Sequence, residues 1–206
     1  DIIVVPTLNS SLRADGIYVI SLYNFGAGAV NEFRAALRDM RQLGATKLII
    51  DLRGNPGGYL DAAVDISSWF LPAGKVIVQE DFGTKAEPLM HRSKGYTGLP
   101  ENISVVLSVN RGSAPASEIV AGALKEHKAA TVVGERTFGK GSVQELVPVT
   151  DETSLKVTIA RWLTPEGHSI SAGGLAPDIE VAVTEEDIVS GRDPQLLKAV
   201  EILSAK

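Results

Sequence analysis

Apolar and polar positions along this chain alternate between two periods, and the switches between them mark out the elements. Ile17-Tyr-Val-Ile-Ser-Leu22 reads as a strand. Val30, Phe33, Leu37, Met40 and Leu43 then recur every three or four residues and stop at Gly44, the pattern of an amphipathic helix with a glycine C-cap. Lys47 to Leu52 is a buried strand that runs into the glycine-rich turn Arg53-Gly-Asn-Pro-Gly-Gly58, and a helix over about Leu60 to Phe70 follows, stopped near Pro72. Lys75 to Gln79 and Ile103 to Val109 predict two more strands, separated by an irregular stretch from Asp81 to Pro100. Glycines, lysines and Pro100 interrupt every apolar run there, so that stretch is expected to be a mobile excursion outside the core.

Further on, Ala116 to Glu126 predicts a helix and Thr131 to Gly134 a strand. Val143 to Val149 and Leu155 to Leu163 predict two strands joined as a hairpin through Thr150-Asp-Glu-Thr153, and a last helix spans about Pro194 to Leu203. Strands alternating with helices indicate an α/β fold of βαβ units around a largely parallel sheet, with the hairpin as an addition.

Composition narrows the function classes. The 206 residues fit one domain with a real core. A net charge of −5 argues against a nucleic-acid surface, which needs a basic stripe. No apolar run approaches the roughly 20 residues of a membrane span. The absence of cysteine removes disulfides, thiolate metal sites and a cysteine nucleophile. His91, His127 and His168 are too scattered for helical metal-ligand spacing and read as surface residues, so no metal or cofactor is expected. The chain begins at Asp1 and is expected to be a fragment or processed form.

The densest chemistry lies between Asn110 and Gln144. It reads Asn110-Arg-Gly-Ser-Ala-Pro-Ala-Ser-Glu-Ile-Val-Ala-Gly-Ala-Leu124 and then Gly134-Glu-Arg-Thr-Phe-Gly-Lys-Gly-Ser-Val-Gln144. The second string begins like a phosphate-binding P-loop, but Gly141 stands where Ser or Thr must hold magnesium, and a strand follows where a helix is needed. A lysine between glycines is ordinarily a solvated loop residue; as a general base it needs desolvation to lower its pKa. The Arg53 to Gly58 turn is either a simple strand-to-helix connection or a display of backbone N–H groups for an oxyanion.

Together these strings resemble the C-terminal processing peptidases, or tail-specific proteases, which use a Ser/Lys dyad. That family's first motif runs Gly-Ser-Ala-Ser-Ala-Ser-Glu, with its nucleophile three residues before the glutamate. Counting back from Glu118 lands on Pro115. The resemblance therefore implies Lys140 as base, Gln144 as its positioner, Gly57 or Gly58 with Ala116 as oxyanion donors, and Pro115 at the nucleophile's place without a hydroxyl. Proline suits the first position of a helix, where its missing N–H costs nothing. Ser113 is a candidate substitute; Ser117, two residues along a helix, is expected to point away. Glu118 is assigned a structural role at the helix start.

Ile159-Ala-Arg-Trp-Leu-Thr-Pro-Glu-Gly167, Gly174-Leu-Ala-Pro-Asp-Ile-Glu-Val181 and Gly191-Arg-Asp-Pro-Gln-Leu196 extend the likeness over most of the chain. The resemblance implies a ClpP/crotonase-like core, polypeptide substrates that are unfolded or expose their C-termini, and a bacterial envelope or plastid-lumen setting. It also implies an upstream PDZ region. No such segment is legible in 1–206, so the chain is expected to be a single core domain whose membrane association, where it exists, lies upstream. Two other readings stand beside a serine endopeptidase: an inactive homologue that binds polypeptide tails or a partner, favoured by Pro115, and an acyl-CoA enzyme by fold analogy alone. Oligomerisation is left open. Lys140 is expected to be buried beside residue 115, with Gln144 in hydrogen-bonding reach of its amine.

Overall fold

The computed structural model describes residues 6–171 and 173–205. Its centre is a six-stranded sheet ordered β1 (Leu8–Leu12), β2 (Ile17–Leu22), β3 (Lys47–Asp51), β6 (Ser104–Val109), β7 (Thr131–Gly134) and β10 (Ile179–Glu180). Only β1 runs antiparallel to its neighbour; β2, β3, β6, β7 and β10 are parallel. Both faces of this sheet are covered, which is why its strands read as continuous apolar runs.

Strand alternation divides the core. Ile20, Leu48, Ile50, Val105 and Leu107 face one side and pack with helices α1 (Ala29–Gln42), α2 (Leu60–Ser67) and α3 (Pro115–Glu126). Ile17, Ile49, Val106 and Val133 face the other and meet Ala199 and Leu203 of α5 (Pro194–Ser204). A second sheet, ordered β5 (Leu89–Arg92), β4 (Val76–Asp81), β9 (Ser154–Leu163) and β8 (Ser142–Pro148), is antiparallel throughout. The expected hairpin is its β8–β9 half.

Three expectations need correction. The 81–100 stretch is not a free excursion, because β5 pairs with β4. Beyond β5, Ser93 is buried and donates to the Leu71 carbonyl at 2.7 Å, and the Tyr96 amide donates to Ser68 at 2.9 Å. The four residues Leu89-Met-His-Arg92 show no alternation and leave Leu89 and Met90 exposed, which hides this strand from a periodicity argument, since its pairing is main-chain. The second helix ends at Ser67 rather than Phe70, where the Ser68 hydroxyl bonds back to Val64. A short helix, α4 (Glu185–Ser190), also escaped notice, although Thr184 and Asp187 form a reciprocal capping box at its start.

One ionic network ties the C-terminal helix to the sheet. Arg53 donates to Asp51 at 2.9 and 2.7 Å and to both oxygens of Asp193 at 2.8 Å, with Gln195 Oε1 at 3.2 Å. Asp193 is also the N-cap of α5, accepting from Leu196. Burial pushes the Asp193 carboxyl up, but the hydrogen bonds and charge of Arg53 outweigh it and hold the group below its ordinary value. Its contribution to stability is therefore present above the ordinary carboxylate range and lost as pH falls through its lowered value. Asp193→Ala should lower thermal stability by about 1 kcal/mol from the lost cap alone, with a further, solvent-screened share from the ion pair. Asp193→Asn should recover the cap share only; equal melting temperatures for all three proteins would contradict this.

Candidate active site

The site begins where β3 ends. The chain leaves Asp51, turns through 53–58 and starts α2, and the turn is fixed by two asparagines. Asn55 is fully buried: its Nδ2 donates to the Leu22 carbonyl at 2.7 Å, its Oδ1 accepts the Gly57 amide at 2.9 Å, and its carbonyl accepts the Ala114 amide at 3.0 Å. Asn110 Oδ1 accepts the amides of Gly54 and Gly112, both at 2.9 Å. The turn after β3 and the turn after β6 are thus stapled side by side. Neither asparagine was singled out in the sequence, though asparagine in glycine-rich turns is a known local signal.

This staple sets α3 against the glycines. Pro115 is the first residue of α3, as the sequence suggested, with Ala114 at the N-cap. A methyl group on Gly57 would sit 3.3 Å from the Ala116 nitrogen and 3.4 Å from Pro115. Gly58 has φ +147°, and a methyl there would meet the Phe25 carbonyl oxygen at 2.4 Å. Only glycine permits that approach. The Gly57 amide is taken by Asn55, which corrects its expected role as an oxyanion donor. The amides of Gly58 and Ala116 have no acceptor among the described residues.

Neither neighbouring serine presents a free hydroxyl. Ser113 is fully buried, donates to the Leu52 carbonyl at 2.8 Å and accepts the Asn110 amide at 3.0 Å. This corrects the suggestion that it substitutes at position 115. Ser117 is equally buried and faces the Asn55 carbonyl at 3.5 Å, the long limit of a hydrogen bond.

The lysine motif is brought to the same place. The Phe138 amide donates to the Ser113 carbonyl at 3.1 Å. Glu118, with no exposed surface, accepts the Thr137 hydroxyl at 2.6 Å and the Gly139 amide at 2.7 Å on its Oε1. Lys140 itself is exposed, contrary to the expected burial, and so is Gln144 on β8. No hydrogen bond joins them among the described residues. Flanking glycines and an edge strand leave nothing to enclose the amine, and apolar neighbours in sequence do not supply it: Phe138 is itself 64% exposed. His91 and His127 are half-buried rather than at the surface, His91 against Trp162 and His127 against the Val76 carbonyl.

Burial pushes the Glu118 carboxyl above its ordinary value, outweighing the hydrogen bonds from Thr137 and Gly139. Between its ordinary value and the raised folded value, the folded chain holds a proton that the unfolded chain lacks. The stability from that proton is complete below the unfolded value and is lost as pH rises through the folded one. Urea unfolding from acid to neutral pH should therefore show Glu118→Gln gaining on the wild type across this window, then holding a constant difference. A Glu118→Gln variant that keeps a constant difference or loses ground to the wild type across that window would overturn the assignment.

A family model described as peptidase family S41 matches residues 16–181. A carboxyl-terminal-processing protease of Synechocystis sp. is 36% identical over 204 residues, covering 98% of this chain and 47% of that protein. A carboxy-terminal-processing protease of Bartonella bacilliformis is 36% identical over 200 residues, covering 95% and 45%. Among solved structures, a photosystem II D1 C-terminal processing protease superposes with a TM-score of 0.78 at 28% identity, over 87% of this chain and 49% of that one. The chain thus spans about half the length of the curated relatives it matches. Matched along most of its sequence and in its fold, the chain belongs to peptidase family S41.

Proposed function

We propose that this chain is the core of a serine endopeptidase of the C-terminal processing class, acting on unfolded polypeptides or exposed C-termini. The observation that carries this reading is the packing of Gly57 against Pro115 and Ala116 where the two turns are stapled together, with the adjacent Gly58 amide and the Ala116 amide free of acceptors among the described residues. Donors so placed stabilise the oxyanion of an acyl-transfer intermediate when they lie near 3 Å from the developing charge. In this reading Lys140 is the base and Gln144 its positioner. Substrate laid along the site excludes water from the amine, which supplies the desolvation the free chain lacks. The relatives' names support the class, and their bacterial sources fit a cell-envelope setting; no helix among the described residues is long and apolar enough to cross a membrane.

A second reading, a non-cleaving homologue that holds polypeptide tails, rests on the single sequence feature Pro115. Loss of the nucleophile in subtilisin lowers turnover about a millionfold. On this second reading the unmodified chain leaves casein essentially uncut, whereas Pro115→Ser, which supplies the hydroxyl, gives measurable cleavage that Lys140→Ala removes. Cleavage by the unmodified chain, abolished by Ser113→Ala, would instead make Ser113 the nucleophile and redraw the motif register. Failure of Pro115→Ser to cleave, with fold intact, would favour the binding reading.

A further inference from the structure

The far ends of α1 and α2 carry a feature that the catalytic turn does not use. On α1, Arg34, Arg38 and Arg41 follow one another at spacings of four and three, which places them on one stripe of the helix. With Trp69 and Leu99 they line a cavity of about 130 Å³. Gly98 lies directly beneath: a methyl group there would sit 3.4 Å from Arg41 Nη1. None of the three arginines takes part in an ion pair among the described residues. Asp65, an acid that feels the charge of Arg34, is already held by Lys94 at 2.7 Å and by the Tyr96 hydroxyl. On a chain of net charge −5 this is a local reversal of sign.

The arginine cavity shares walls with a larger groove of mixed character. Trp69 and Leu99 also line this groove of about 680 Å³, which carries Phe70, Leu71, Pro72 and Ile103 beside the polar Glu101 and Lys128. Trp69 packs against Tyr96 with ring centroids 5.1 Å apart, which fixes the wall between the two. The surface stands apart from residue 115. Helix α1 starts at Ala29, four residues after Phe25, whose amide bonds to Gly57, and the arginines lie roughly 8 to 18 Å along its axis from that start.

We propose that this surface binds an acidic polypeptide segment that also carries bulky apolar side chains. Its carboxylates pair with Arg34, Arg38 and Arg41, and its apolar side chains enter the groove between Trp69 and Ile103. Guanidinium groups match carboxylates in paired, charge-assisted hydrogen bonds. A small free anion would satisfy the arginines and leave the larger groove, with its Trp69, Phe70, Leu71 and Ile103 wall, empty, so a peptide fits both halves. The inference goes beyond the peptidase reading and needs no chemistry at position 115.

The test is titration of the unmodified chain into fluorescein-labelled Glu-Glu-Phe-Glu-Glu-Leu amide, followed by fluorescence anisotropy. Saturable binding is expected, weakened about tenfold or more by high salt and by the combined Arg34→Gln, Arg38→Gln and Arg41→Gln substitutions. The same peptide with glycine at its two apolar positions should bind about tenfold more weakly. An unchanged melting temperature shows that the triple variant is folded, and Arg38→Glu alone repeats the test with one exposed position altered. Equal affinity of wild type and variants would overturn the proposal. So would full displacement of the peptide by inorganic phosphate at equal concentration, which would make the site one for small anions.

Discussion

Glu118 accepts the Thr137 hydroxyl and the Gly139 amide in a place closed to water, and through those two bonds the start of α3 holds the segment that carries Lys140. A carboxylate is expensive to bury. This one reaches across from a helix to a loop outside the named helices and strands, and its two hydrogen bonds offset part of that cost. Without it, the Phe138 bond to Ser113 would be the remaining direct backbone link between the lysine loop and the Asn110–Ala114 turn. Glu118 and Lys140 are 22 residues apart in sequence, and their segments adjoin in space through the Glu118 side chain and the Phe138–Ser113 backbone bond.

The other half of the site rests on the parallel sheet. Neighbouring strands β3 and β6 run in the same direction, so their C-terminal turns emerge side by side, the usual place for sites in such sheets. Asn55 and Asn110 convert that neighbourhood into fixed geometry by satisfying amides and carbonyls that no strand or helix reaches. Arg53 then ties the same turn to Asp193 and α5 on the opposite face. Helix packing on both sides of the sheet is in this way coupled to the position of Gly58 and Ala116.

Much of this was legible in the chain. The helix at Ala29–Gln42, the central strands and the β8–β9 hairpin follow from apolar periodicity, because burial imposes that periodicity directly. Pro115 at the first turn of α3 follows from proline's own geometry. Strand β5 did not show, since its residues Leu89-Met-His-Arg92 alternate poorly and its pairing is through the main chain. The burial expected for Lys140 failed because enclosure is a tertiary property: local sequence places apolar residues near the lysine but cannot fold them over it. The engagement of the Gly57 amide by Asn55 was equally invisible, although the two residues are nearly adjacent.

The account's central claim is that Glu118 holds the lysine loop in place. Amide hydrogen exchange at Gly139 in wild type and Glu118→Ala tests it most directly. The account predicts that Gly139 loses its protection in the variant while Val106 and Leu107, in the middle of the parallel sheet, keep theirs. Unchanged protection at Gly139 in a folded Glu118→Ala protein would contradict it.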